Sequence, residues 1–171
     1  MTGDVEKIRH SLADHFPLKN SRVRKRASVL IPLLESEGEI YVMLTRRSSE
    51  MSSHPGQVSF PGGKQDSDDE DSLQTALRET HEEIKLPGEK VDVIGTLDQI
   101  LSLHYYLVTP YVGLIPSDFV PVPNTDEIDS VFKVPLAFFM KSENHWSEEK
   151  KYSLLLCLCT ILNTRGMISG V

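Results

Sequence analysis

Apolar residues recur along this chain with two periods, and the change from one to the other marks out its elements. Val5, Ile8, Leu12 and Phe16 fall at roughly helical spacing, and Pro17 closes that segment. A basic stretch follows, with Lys19, Arg22, Arg24, Lys25 and Arg26; it reads as a solvated linker or, in the alternative, as a phosphate-binding edge. Residues 27–34 are nearly all apolar, as a buried strand requires. Turn chemistry at 35–38 leads into a second strand, 39–45, in which Ile40, Val42 and Leu44 alternate. A polar loop at 48–56, a short strand at 57–60 and the turn Pro61-Gly62-Gly63 come next. Residues 72–85 form a helix with Leu73, Ala76, Leu77, Thr80 and Ile84 turned inward, and Pro87-Gly88 stops it. Strand-like runs follow at 91–97, 104–109, 111–115 and 129–134, then a short helix at 135–140. This order predicts an α/β fold, a mixed sheet with helices on its faces.

A length of 171 residues, 39% apolar and 25% charged, suits one soluble domain. The net charge of −7 argues against broad binding to nucleic acid or to anionic membrane, and for a small-molecule substrate. No N-terminal run has signal-peptide character, and the longest apolar run, 154–162, is too short to span a bilayer as a helix. Cys157 and Cys159 are two apart on one chain segment, poor geometry for a disulfide, and are expected as free thiols.

The chemistry concentrates in one helix. Glu79, Glu82 and Glu83 stand at i, i+3 and i+4, which stacks three carboxylates on one face. A lone cluster of this kind usually marks a solvated surface. Here a Gly-Gly turn lies upstream, Arg78 sits inside the cluster and Glu70 precedes it. Like charges so close call for a hard divalent cation, Mg²⁺ or Mn²⁺, which prefers oxygen donors. Glu79, Glu82 and Glu83 are the expected metal ligands. Arg78 is expected to hold a carboxylate bidentately, with Glu70 as its partner.

These residues resemble the Nudix box, Gly-x5-Glu-x7-Arg-Glu-U-x-Glu-Glu-x-Gly-U, where U is apolar. Gly63, Glu70, Arg78, Glu79, Glu82, Glu83 and Leu86 align with it. The resemblance implies an α/β/α sandwich, with a box at 63–86 inside a domain at 27–140. It also implies divalent-cation-dependent hydrolysis of a nucleoside diphosphate linked to another moiety. The departures are local. Six residues rather than five separate Gly63 from Glu70, Thr80 takes an apolar position, and Lys85 stands where glycine is expected. If that position is left-handed, lysine costs on the order of 1 kcal/mol there.

Leu44-Thr45-Arg46-Arg47-Ser48 and the segment 56–63 resemble, more narrowly, the signature of coenzyme A diphosphatases, although Ser52 replaces an arginine of that pattern. The extra residue before Glu70 and the segments 123–128 and 134–136 resemble the same subgroup, with animal peroxisomal members the most alike. The implied reaction splits coenzyme A, or acyl and other derivatives of it, into 3′,5′-ADP and 4′-phosphopantetheine. Gly62 and Gly63 let the main chain approach the substrate. Arg46 or Arg47, with Lys64, would meet its phosphates, unless both arginines are merely exposed strand-end charges. Selecting a 3′-phosphate needs a further cation, which the sequence does not single out. Glu82 or Glu83 would take the proton from water, with Glu127 as a candidate off the helix. His81 is expected to be exposed, and His54 to be an ordinary residue of the loop before the Gly-Gly turn, with substrate contact as the alternative. The alternatives are another nucleoside diphosphate derivative (ADP-ribose, a nucleotide sugar, a damaged triphosphate) or a silent domain of the same fold.

Residues 1–26 read as helix and linker, and 141–171 as an atypical C-terminal segment. Relatives of this type continue into a further strand and helix, so a shortened or alternative C-terminus is expected. Resemblance places the protein in the peroxisome, although the chain ends in Ser-Gly-Val rather than Ser-Lys-Leu; cytoplasm and mitochondrion are the other addresses. A monomer is the expected state.

Overall fold

The computed structural model describes residues 3–15, 25–51, 54–102, 104–141 and 144. Helix α1 (Gly3–Ala13) precedes the central strand β1 (Arg26–Ser36), which turns through Glu37 and Gly38 into β2 (Glu39–Arg47). Both turn residues have positive φ, 55° and 81°, which matches the turn to the twist of the two strands. Short strands β3 (Val58–Ser59) and β4 (Gly62–Lys64) lead to helix α2 (Ser72–Ile84). Then come β5 (Asp92–Thr96), β6 (Ile100–Leu101), β7 (Leu107–Leu114), β8 (Ile128–Pro135) and α3 (Leu136–Met140).

All eight strands among the described residues join one mixed sheet. β1 pairs in parallel with β7 along one side. Along the other it pairs antiparallel with β4 at 27–29 and with β2 at 33–36. The two faces of β1 feed two cores. Ile31 and Leu33 pack with Ile8 and Leu12 of α1 and with Leu136 and Phe139 of α3. Leu30 and Leu34 pack with Ile84 of α2 and with Leu86. The result is the expected α/β/α sandwich.

Proline does not break β7. The runs 104–109 and 111–115 were expected to be separate strands because Pro110 lies between them; the structure has one strand, Leu107–Leu114. The Pro110 carbonyl accepts from Leu97 N–H at 3.0 Å, so its nitrogen faces that same edge. There β6, opposite Val108, gives way to β5, opposite Tyr111, and the missing donor falls in the gap. Pro32 does the same on β1, between the contact of Leu30 N–H with the Pro61 carbonyl and the pairing of Leu33 with Val42.

Among the described residues no helix is long and apolar enough to cross a membrane. The expectations about Pro17, the thiols, the 154–162 run and nearly all of the 141–171 segment lie outside the described residues.

Candidate active site

α2 presents the site because its ends are fixed on both sides. The Asp71 carboxylate caps the N-terminus, accepting from Gln74 N–H at 2.8 Å. At the other end Lys85 adopts the left-handed conformation, φ 60°, at the position where the family pattern has glycine. The Glu83 and Ile84 carbonyls, which lack partners within the helix, accept from Asn124 N–H at 2.8 Å and Val122 N–H at 3.1 Å. That clamp lays the 122–127 segment along the helix end and brings Glu127 to the cluster.

The cluster divides into a pinned half and an unpaired half. Arg78 Nε and Nη2 donate to the two Asp69 carboxylate oxygens at 2.9 and 3.0 Å. Asp69 also accepts from Asp66 N–H and Thr75 Oγ1, both at 2.9 Å, and its side chain is only 3% exposed. The Arg78 guanidinium beside it holds the Asp69 carboxyl well below the usual range, and Asp69 in turn raises Arg78. The same arginine reaches Glu79 at 3.0 Å, Glu82 at 3.2 Å and the Lys64 carbonyl at 3.2 Å. Glu70, the partner expected from the sequence, makes no such contact. Its backbone N–H bonds to Gln74 and its side chain is exposed. Five residues separate Asp69 from Gly63, the spacing that Glu70 misses by one, although it is Glu70 that keeps the seven-residue spacing to Arg78.

Glu83 is buried, 3% exposed, at the foot of β4. Its carboxylate accepts only a long contact from Gly62 N–H, 3.4 Å, and faces Arg47 Nη1 at 3.8 Å. Burial outweighs both, and with the charges of Glu79 and Glu127 nearby it pushes the Glu83 carboxyl up to about 8. Burial likewise raises Glu79, whose carboxylate lies against Gly63, where a Cβ would collide with it. Gly62 is also constrained, at φ 145° with Ser28 O and Val29 Cα where a side chain would go.

The structure thus brings Glu79, Glu83, Gly62, Gly63, Arg78 and Arg47 together, with Glu127 close enough that its charge raises both buried carboxyls. Glu82 lies on the solvent side, 55% exposed, held by Arg78. Arg46 and Arg47 part: Arg46 is exposed, and Arg47 turns in, its buried Nε without an acceptor. His81 is exposed, with Nδ1 3.3 Å from the Leu86 carbonyl. His54 is exposed and lies edge-on to His104, ring centroids 5.1 Å apart.

Among the described residues no three acidic or imidazole groups are drawn into a ready-made metal cluster. The donors nevertheless fit a hard divalent cation. Glu79 and Glu83 are oxygen donors whose carboxyls are raised by burial, Glu83 also by the charge of Glu79, while the unbonded Arg47 Nε is a donor suited to an anion beside them. Asp69 and Asn124 are the parts that sequence reasoning did not find. The five-residue spacing could have shown the first; the 123–128 segment marked the neighbourhood of the second without giving its role.

Comparison with known proteins places this arrangement. The NUDIX domain family model matches residues 24–155. A mouse protein named as a peroxisomal coenzyme A diphosphatase is 42% identical over 157 residues, 86% of this chain and 66% of its own length. Nudix hydrolase 15, mitochondrial, of Arabidopsis thaliana is 47% identical over 75% of this chain and 46% of its own length. An uncharacterized Nudix hydrolase of Enterobacter is 46% identical over 67% and 59%. The chain therefore spans about half to two thirds of these relatives. Among solved structures, the NUDIX domain of Shewanella oneidensis NrtR superposes with a TM-score of 0.58 at 19% identity, over 96% of this chain and 97% of that one.

Proposed function

The chain belongs to the Nudix family, and from that premise we propose that it hydrolyses the pyrophosphate bond of coenzyme A and its acyl derivatives, releasing 3′,5′-ADP and 4′-phosphopantetheine. The observation that carries the chemistry is the seat at the foot of β4: Glu79 against Gly63, and buried Glu83 beneath Gly62 N–H. The relation to the mouse coenzyme A diphosphatase over 86% of the chain, with the 44–48 and 56–63 segments, supports the substrate.

Glu79, Glu82 and Glu83 would hold Mg²⁺ or Mn²⁺. A bound cation supplies neutralisation of the phosphate charge and acidification of water. Arg78, locked on Asp69, fixes the orientation of Glu79 and Glu82. Burial disfavours the ionised form of Glu83, and a bound cation would favour it, so the seat suits the loaded state. Glu82, on the solvent side, is one candidate to take the proton from attacking water; Glu83 and Glu127 are the others. Arg47 and the Gly62-Gly63 main chain would meet the pyrophosphate, and Lys64, on the other face of β4, would meet a substrate phosphate past the edge of that strand. Arg46, exposed on the opposite side of β2, contributes at most through long-range charge. The mouse relative's name supports a peroxisomal address and the Arabidopsis relative's a mitochondrial one.

Incubating the purified protein with coenzyme A, ADP-ribose and dGTP in ~5 mM Mg²⁺ and resolving the products tests this reading. Release of 3′,5′-ADP from coenzyme A in preference to cleavage of the others is expected. Preferential cleavage of ADP-ribose or dGTP would keep the fold's chemistry and discard the substrate.

A further inference from the structure

The start of β1, the end of β4 and the start of β7 meet at one end of the sheet. Lys64 lies opposite Ala27, Leu107 lies opposite Arg26, and Leu107 N–H donates to the Lys25 carbonyl at 2.9 Å. This register gathers Lys25, Lys64 and Tyr106. Lys25 Nζ is 5.5 Å and Lys64 Nζ 5.6 Å from the centroid of the Tyr106 ring. Tyr106 is itself fixed, its N–H donating to Ser102 Oγ at 3.1 Å and its carbonyl accepting from Ser102 N–H at 2.8 Å.

A pair of ammonium groups around one ring repel each other, and the ring offsets this only weakly, ~0.5–1 kcal/mol per exposed contact. Both lysines are exposed, and among the described residues neither is in an ion pair, although the chain carries a net charge of −7. An anion bound at this end of the sheet, within reach of both, would offset their charge. The pair also stands beside the carboxylate seat: Lys64 follows Gly63, and its carbonyl accepts from Arg78 at 3.2 Å. Alternation along β4 sends the Lys64 side chain to the face opposite the one on which Gly63 meets Glu79. Among the described residues β4 pairs with β1 alone, so a ligand can pass its outer edge from one face to the other.

We infer that Lys25 and Lys64, braced by Tyr106, form a second anion subsite that binds the phosphate monoester on the ribose of the substrate. This rests on the coenzyme A reading, in which one sugar separates that dianion from the pyrophosphate held at Gly62-Gly63. It assigns a specificity role to Lys25, in the stretch that the sequence alone left as linker or phosphate-binding edge.

The test compares coenzyme A with its 3′-dephospho form on the wild type and on Lys25→Gln, Lys25→Glu and Lys25→Arg, reading KM and kcat separately. The wild type should prefer coenzyme A. Lys25→Gln should raise KM for coenzyme A about fivefold and Lys25→Glu more than about tenfold, the scale of an exposed charge-assisted contact and of its reversal. KM for the dephospho form and kcat for both should hold within about twofold, and Lys25→Arg should restore the preference. An equal rise for both substrates, or no rise for either, overturns the subsite while leaving the coenzyme A reading intact. Failure of the wild type to cleave coenzyme A overturns that reading, and the subsite with it.

Discussion

Replacing Glu83 by glutamine tests whether the seat is desolvated as the geometry says. The Glu83 side chain is 3% exposed and its carboxyl is pushed up to about 8. Between the ordinary carboxyl range and pH 8 the folded protein therefore holds a proton that the unfolded chain has lost. Stability falls across that window as pH rises, and the loss is complete above it. At about 1.36 kcal/mol per pH unit, an ionised Glu83 costs the fold up to ~5 kcal/mol; relaxation and entry of water bring this to ~2–4 kcal/mol. A glutamine at this position never ionises. Chemical denaturation of the metal-free protein should thus find Glu83→Gln within ~0.5 kcal/mol of wild type at about pH 5.5, where Glu83 is neutral, and more stable by ~2–4 kcal/mol at about pH 9. Comparing the two proteins cancels the titrating groups that do not interact with Glu83. Adding Mg²⁺ at the higher pH should stabilise the wild type and leave the variant nearly unmoved, which closes the gap. A stability difference that stays constant between those two pH values would refute the reasoning, because Glu83 would then ionise like an exposed carboxylate.

Four further outcomes follow from the same geometry. Asp69→Ala should cost ~2–3 kcal/mol in urea unfolding, since it strips Arg78 of its bidentate partner, whereas Glu70→Ala should stay within ~0.5 kcal/mol. Gly63→Ala places a methyl group inside the Glu79 carboxylate and should lower kcat by about a hundredfold, with circular dichroism unchanged. Lys85→Gly relieves a left-handed lysine worth ~1–2 kcal/mol, less ~0.4–1 kcal/mol of added unfolded-chain freedom, so thermal unfolding should show a small net gain. Glu82→Gln should keep stability within ~0.5 kcal/mol, the side chain being exposed, and lose at least ~100-fold in kcat; wild-type turnover in that variant would remove Glu82 from the machinery.

Where local chemistry decides the outcome, the sequence was readable. Helix α2 announces itself through an acidic cap, inward residues at helical spacing and a proline stop, and the β1–β2 hairpin through Glu37-Gly38. What could not be read depends on partners remote in the chain. Pro110 looks like a strand end until β5 and β6 are seen to change places beside it. Ile40, Val42 and Leu44 alternate along β2, but Val42, Met43, Leu44 and Thr45 are all buried and the register shifts between Arg46 and Arg47, so the alternation does not say which arginine turns in. Asp69 and Glu70 are adjacent acids in a loop, and only the position of Arg78 chooses between them. Lys25 and Lys64 are far apart in sequence, and the ring they share is Tyr106, remote from both.

The charges of α2 serve two separate ends. Asp69 and Arg78 satisfy each other with or without a cation, joined by Thr75 Oγ1 and the Asp66 N–H, so this half is a platform that metal removal leaves standing. Glu83 is the opposite case: buried, beside the charges of Glu79 and Glu127 and short of donors, it opposes folding unless protonated or neutralised, whereas Glu79 is part-buried and paired with Arg78 at 3.0 Å. Arg47 does not resolve this, since 3.8 Å is a loose ion pair and its Nε stays unbonded. Helix ends pinned by Asp71, Asn124 and Val122 hold the unfavourable Glu83 carboxyl in place, with the stability of the surrounding cores offsetting it. Platform substitutions should therefore destabilise the metal-free and metal-loaded protein alike. Seat substitutions should stabilise the first and abolish the response to the second, which lets stability measurements alone assign a residue to either half.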